Sequence, residues 1–338
     1  MQTTNRRPGI FTGYSITSHY AAPRAAMSAA LVVKLPVFND ELITFDSPTE
    51  ALETLVSHRA LLNACRILFN SGVARVHLAT AEDNYRAALG RVAELDGVGA
   101  VISDAHDEDD LYDLLDNVIT SSSAMRERLM FIGNPTAQEA AAYAGILNHE
   151  RAIVCTPAAF VPEDENPSAL YTACAFAGAI LAQPDPGHNF SAHALEPLSG
   201  IERLPEADIQ SLISGGVCVF ERVAGSVECV RAVTTRTEPD LSMRPLNSIL
   251  IIDDVMRSLR AGLSGLLRAL RVGAHSHESI ASQVAVILAA RRDEGIITAF
   301  DPPVVRASTE DPSVCIVQLS FGVAHIVDQI HVSAHIRV

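Results

Sequence analysis

At 338 residues, with 48% hydrophobic and 19% charged positions, the chain has a folding composition and the length for more than one hydrophobic core. A net charge of −15 argues against a nucleic-acid partner, because a phosphate-tracking face is basic. The N-terminal residues lack the apolar core of a secretory signal, and no apolar run reaches the roughly 18 residues of a membrane helix, so neither export through a signal sequence nor a membrane contact is expected.

The first 35 residues do not read as a compact unit. Pro8-Gly9 opens an extended stretch in which Ile10, Tyr14 and Ile16 share one face and Gly13 weakens it as an independent strand. That stretch resembles an arm, followed by an Ala-rich tether and a strand at Ala29 to Lys34. From residue 36 to 215 strands and helices alternate. Ser47-Pro48-Thr49-Glu50 is a capping box, and the helix it starts is expected to run to about Asn70. Apolar strands are expected at Val73–Ala79, Val98–Ser103, Leu129–Ile132 and Ala152–Cys155. Helical patterns lie between them, and another follows at 168–182. This alternation predicts an α/β fold, a doubly wound domain with parallel strands.

After Gly215 the pattern changes. Gly216 to Arg222 and Val227 to Thr234 read as a hairpin through Ala224-Gly225-Ser226. Two helices, at about 246–271 and 277–293, lead into strands at Ile296–Phe300 and Val314–Val323. Residues 216–322 are therefore expected to form a C-terminal α+β domain, and 323–338 a terminal strand. In that strand Ile330, Val332, Ala334 and Ile336 share one face, and His331 and His335 the other. A strand this regular at a chain end needs a sheet to pair with, in its own subunit or a neighbour.

No nucleophile elbow or phosphate loop is present; Gly262-Leu263-Ser264-Gly265 lies within a helix pattern, where packing explains it. Gly97-Val98-Gly99 precedes a strand and lacks the third glycine of a dinucleotide site. Asp107, Glu108, Asp109 and Asp110 fit a helix N-terminus better than a calcium loop. His275, His277 and Glu278 are weak metal candidates, and the six scattered cysteines read as buried free thiols of a reducing cytoplasm. No catalytic residue, metal or cofactor is expected. Arg257, Arg260, Arg268 and Arg271 form a basic stripe on the first long helix. Such a stripe faces solvent, pairs internally, or docks onto an acidic partner.

The order of these features resembles the tail sheath proteins of contractile phages and phage-tail-like particles, most closely the short sheaths without extra outer domains. The segments that carry the resemblance are RPGIFTGYSIT from Arg7 to Thr17, SGGVCVFERVAGSVECVRAVTT from Ser214 to Thr235, LNSILIIDDVMRSLR from Leu246 to Arg260, DPPVV from Asp301 to Val305, and VDQIHVSAHI from Val327 to Ile336. It implies a subtilisin-like core, but the D-S/T-G, H-G-T and G-T-S motifs of that protease family are missing, so proteolysis is not implied and no enzyme is expected. It implies exchanged termini: Gly9, Ile10, Phe11, Tyr14 and Ile16 on one arm, and Gln329, Ile330, Val332, Ala334 and Ile336 on the other, adding strands to neighbouring copies. The hairpin near 216–234 is then part of the receiving domain.

The implied partners are the chain itself in stacked rings, an inner tail tube protein met by the arginine stripe, and baseplate and tail terminator proteins. The implied location is a virion or phage-tail-like particle, after synthesis in the bacterial host cytoplasm. Two other readings stay open on the residues: a hydrolase-like enzyme on the α/β domain, and a non-contractile structural homo-oligomer.

Overall fold

The computed structural model describes residues 27–35, 42–82, 84–134, 136–268, 274–311 and 313–327. The chain begins with β1 (Ser28–Lys34), β2 (Leu42–Phe45), α1 (Pro48–Leu55), α2 (Arg59–Asn70), β3 (Val76–Ala81), α3 (Arg86–Ala93), β4 (Val98–Ser103), α4 (Glu108–Ser123), β5 (Leu129–Gly133), α5 (Ala137–Leu147) and β6 (Ala152–Thr156). Then come β7 (Ala159–Val161), β8 (Asp164–Ser168), α6 (Ala169–Ala182), β9 (Gly200–Ile201), α7 (Glu206–Ser214), β10 (Val217–Val223) and β11 (Ser226–Arg231). The last elements are α8 (Leu246–Ser264), α9 (Ala274–Asp293), β12 (Ile297–Phe300), β13 (Val304–Ala307), β14 (Cys315–Gln318) and β15 (Phe321–Val323).

An eight-stranded sheet in the order β11-β10-β6-β5-β4-β1-β3-β2 is the centre of this α/β fold. Its inner strands are parallel, and β2 and β11 close the two edges antiparallel. Alternate side chains leave each strand on opposite faces. Leu31, Ile102, Phe131 and Cys155 meet α1, α2, α6 and the start of α8 on one side, whereas Val32, Val101, Ile132 and Val154 meet α3, α4, α5 and α7 on the other. Because both faces are covered, these strands read as continuous apolar runs without polar alternation.

Two expectations about where units begin are corrected. The strand placed with the arm and tether of residues 1–35 is β1, which lies in the middle of the sheet between β3 and β4. The hairpin expected to open a second domain at 216 belongs to the large sheet: β10 pairs parallel with β6, Cys218 opposite Cys155. Val217, Cys218, Val219 and Phe220 are all buried, the signature of an interior strand, while β11 alternates as an edge strand does.

Local chemistry explains most boundaries. Ser47 caps α1 by accepting from Glu50 N, and the Glu50 carboxylate accepts from Asp46 N at 2.8 Å. The expected single helix to Asn70 breaks at Val56–His58, which lets Ala51 and Leu55 of α1 and Leu61, Leu62, Cys65 and Leu68 of α2 reach the same core. The Asp107–Asp110 run is confirmed at the N-terminus of α4, where Lys34 pairs with Asp110 at 2.7 Å. Gly133 is required by packing: a Cβ there would lie 2.1 Å from the Ala169 carbonyl oxygen at the start of α6.

The second half of α8, α9 and the last four strands form a smaller core of Ile251, Val255, Leu259, Val284, Leu288, Ile296 and Ile297. Gly262 lets α9 approach α8 closely, since a Cβ would lie 2.5 Å from Ile287 Cδ1. The expected helix to 271 ends sooner, at Ser264, followed by a short 3-10 turn at Leu266–Arg268.

Candidate assembly surface

β12 pairs antiparallel with β15, Ile297 opposite Val323 and Phe300 opposite Phe321, and β13 pairs with β14 from Val304–Gln318 to Ala307–Cys315. A hydrogen bond from Asp301 N to Ser320 O, 3.0 Å, joins the two pairs into one bent ribbon. One ribbon face packs on α9 through Phe300, Val317 and Leu319. Val304 (57% exposed), Val314 (47%) and Ile316 (37%) stay in solvent. Among the described residues, no third strand lies on either long edge of the ribbon, so both present backbone N–H and C=O groups. A two-stranded ribbon is marginal by itself. Strand addition on either edge would supply several backbone hydrogen bonds, each contributing a net ~0.5–1.5 kcal/mol.

The large sheet is protected differently. Residues 192–195 run along β11, with Ala192 N donating to Cys229 O, Cys229 N to His193 O and Leu195 N to Val227 O. The edge that the hairpin offers is thereby sealed, whereas the ribbon β12–β15 is open on both sides. The signal in the sequence was present in VVRA and CIVQ, short β-branched alternations without enough apolar residues on both faces for an interior strand.

Both candidate arms, Gly9, Ile10, Phe11, Tyr14 and Ile16 at one end and Gln329, Ile330, Val332, Ala334 and Ile336 at the other, lie outside the described residues, as do His331 and His335. Of the arginine stripe, the two members with described side chains, Arg257 and Arg260, do not lie on a free face. Arg260 pairs with Glu127 at 2.6 Å. Arg257 points into a cleft between α8 and the sheet, where burial lowers its pKa despite Asp253, Asp254 and Glu127 nearby. The side chain of Arg268 and all of Arg271 lie outside the described residues; Leu267 beside them is 84% exposed.

The joint between the two cores is ionic. Arg151 before β6 holds Asp253 of α8 through two bonds of 2.9 and 2.8 Å and Glu127 before β5 holds Arg260, while within the smaller unit Arg291 of α9 reaches Asp254 at 3.3 Å. Burial works against the charge of Arg151, and the Asp253 carboxylate outweighs it, leaving the pKa raised. Among the described residues no group of three or more His, Cys, Asp or Glu side chains is placed to hold a metal. None of the described helices is long and apolar enough to cross a membrane.

Three histidines give the fold a pH dependence. Burial lowers the pKa of His77, His149 and His193 from the ordinary 6.5, aided by Arg75 at His77, by Arg151 and Arg236 at His149, and by His188 at His193. Asp46, Glu150 and Glu196 oppose these shifts without cancelling them. The folded chain binds fewer protons than the unfolded one, so this stability is present above the unfolded pKa and is lost as pH falls through the folded values. Thermal melts should show a lower midpoint at pH 5 than at pH 7.5, with the gap narrowed in a His77→Gln, His149→Gln, His193→Gln variant.

No family model matches the sequence, and no curated protein does. Solved structures match over nearly the whole length. A chain of the anti-feeding prophage helical sheath in its contracted state aligns with a TM-score of 0.71 at 12% identity, covering 97% of this chain and 98% of that one. A chain from the anti-feeding prophage baseplate gives 0.70 at 13% identity, over 99% and 100%. The sheath tail protein of Desulfitobacterium hafniense gives 0.67 at 9% identity, over 93% and 100%. The large parallel sheet with its appended ribbon is thus an arrangement these particles share, and the chain has the fold of a contractile tail sheath protein.

Proposed function

We propose that the chain is the sheath subunit of a contractile tail or phage-tail-like particle, polymerising around an inner tube and shortening to drive that tube through a target envelope. The observation that carries this reading is the ribbon β12–β15, open on both edges in a chain that shares the sheath fold from end to end. The Gly9–Thr17 stretch and the terminal Gln329–Ile336 strand are the natural occupants of those edges in neighbouring copies. On this reading the large sheet is the doubly wound, subtilisin-like body, and α8, α9 and the ribbon are the receiving α+β unit. The free energy of shortening comes from new contacts between bodies while the strand links persist, with no bond hydrolysed.

Partners are other copies of the chain, a tube protein, and baseplate and terminator proteins, in a particle assembled after synthesis in a bacterial cytoplasm. Within the arginine stripe the tube contact is assigned to Arg268 and Arg271, which follow the exposed Leu267 in the sequence. Arg260 is already paired with Glu127, whose side chain is only 8% exposed, so reversing that charge would disturb the fold itself.

Negative-stain microscopy of the purified chain should show tubes of contracted type, and the chain lacking residues 1–17 should remain as folded, unassembled subunits. Tubes formed equally well without those residues would remove the strand-exchange reading.

A further inference from the structure

Both terminal segments leave the described fold against the same helix. At the N-terminal side the last residue before β1 is Met27, seated between β4 and α8. Its floor is Gly99, where a Cβ would lie 2.6 Å from Met27 Sδ and 2.6 Å from Leu181 Cδ2, so a side chain there would displace the methionine. Its roof is Arg257, whose Nη1 lies 3.9 Å from Met27 Sδ. At the C-terminal side Phe321 and Val323 pack into the core that holds Ile251 and Val255 of α8. The following residues, Ala324, His325 and Ile326, border a small polar cavity together with Asn247 and Ser248 in the first turn of α8.

The two exits are therefore tied to positions about ten residues apart on one helix, or about 15 Å along its axis. That helix is held at three points, Asp253 by Arg151 and Arg260 by Glu127 on the face toward the large domain, and Asp254 by Arg291 of α9.

Resting on the reading of the termini as links, we infer that α8 is the strut that couples the two exits of each subunit, with Gly99 and Arg257 positioning the N-terminal exit. A displacement at one exit reaches the other along the hydrogen-bonded helix, beside the load that the N-terminal segment places directly on β1. The arrangement accounts for a glycine within a fully buried strand and for a half-buried arginine whose Nη1 meets a thioether.

Hydrogen exchange on the full-length, unassembled chain tests this. The reporters are the amides of Ser28 and Ala29, which donate to Gly97 O and Arg75 O, and that of Ala324, which donates to Ile296 O. Asp253→Asn, which unpins α8 with little change of shape, should speed exchange at both exits by about tenfold or more relative to the amides of β5. Arg257→Ala should do so at Ser28 and Ala29 alone, and Leu114→Ala, a destabilised control on the sheet face opposite α8, should leave the ratio of exits to β5 unchanged. A response to Asp253→Asn at one exit only, or none relative to β5, overturns the strut. If Asp253→Asn does not fold, absence of an effect of Arg257→Ala at Ser28 and Ala29 overturns it. Because no polymer is needed, failure to form tubes in microscopy would count against the sheath reading and leave this result standing.

Discussion

Asp253→Ala is expected to lower folding stability by about 3–5 kcal/mol, the range for removing one partner of a buried ion pair. The Asp253 side chain is 6% exposed and that of Arg151 is 13% exposed, so the guanidinium left behind is neither paired nor well hydrated. Two bonds are lost together, because the fork of Arg151 meets both carboxylate oxygens. The same reasoning predicts that the double replacement Arg151→Met, Asp253→Leu is far milder, since it removes the stranded charge along with the pair. The chain has no tryptophan, so urea midpoints are best read by far-UV circular dichroism. A single-variant loss no larger than that of the double variant would show that the pair contributes little.

Phe176→Ala is expected to cost a similar amount, about 3–5 kcal/mol, by a different route. Phe176 is fully buried on α6, and its ring meets three others edge-on: Phe220 at 5.1 Å, Phe190 at 6.2 Å and Phe131 at 6.3 Å. These rings come from β5, β10 and the loop that seals β11, so the cavity would open where three separately built parts converge. Rings cannot collapse into it without leaving their own contacts. Phe176→Leu should recover part of the loss, by about half, because it restores volume without the edge-on geometry. A loss below about 1 kcal/mol for the alanine variant would mean that the core relaxes around the gap.

The fold was legible where one residue type has one physical use. Ser47-Pro48 announced α1, Gly72 and Gly295 follow α2 and α9 with positive φ, and Val98–Ser103 and Ala152 onward were readable as strands because both faces are apolar. It was illegible where the deciding partner is distant in sequence. β2, β7, β8, β9, β13 and α7 are short or polar and owe their form to neighbours, as Leu42–Phe45 does to β3. Whether the 217–231 hairpin joined the large sheet or a second one depended on β6, more than sixty residues earlier, and alternation within the hairpin cannot say which.

The candidate surface divided along the same line. The open ribbon edges were recognisable only once their partners were in place. For the arginines at 257 and 260 the sequence left exposure, internal pairing and docking open, because a helix pattern gives spacing and is silent about the carboxylate waiting on another element. Gly97 and Gly99 looked like fragments of a nucleotide motif; one is a turn with φ of +75° and the other makes room for Met27.

The cysteines carry a last consequence. Five of the six, Cys65, Cys155, Cys174, Cys218 and Cys229, are sunk in a single core, and burial pushes the Cys65 thiol up to about 12. Cys315 alone is partly exposed, and it sits on β14 of the open ribbon. This chain thus has one reachable thiol, on the strand pair that polymerisation would cover in the proposed sheath, so loss of maleimide labelling on unmodified protein would report growth of that polymer.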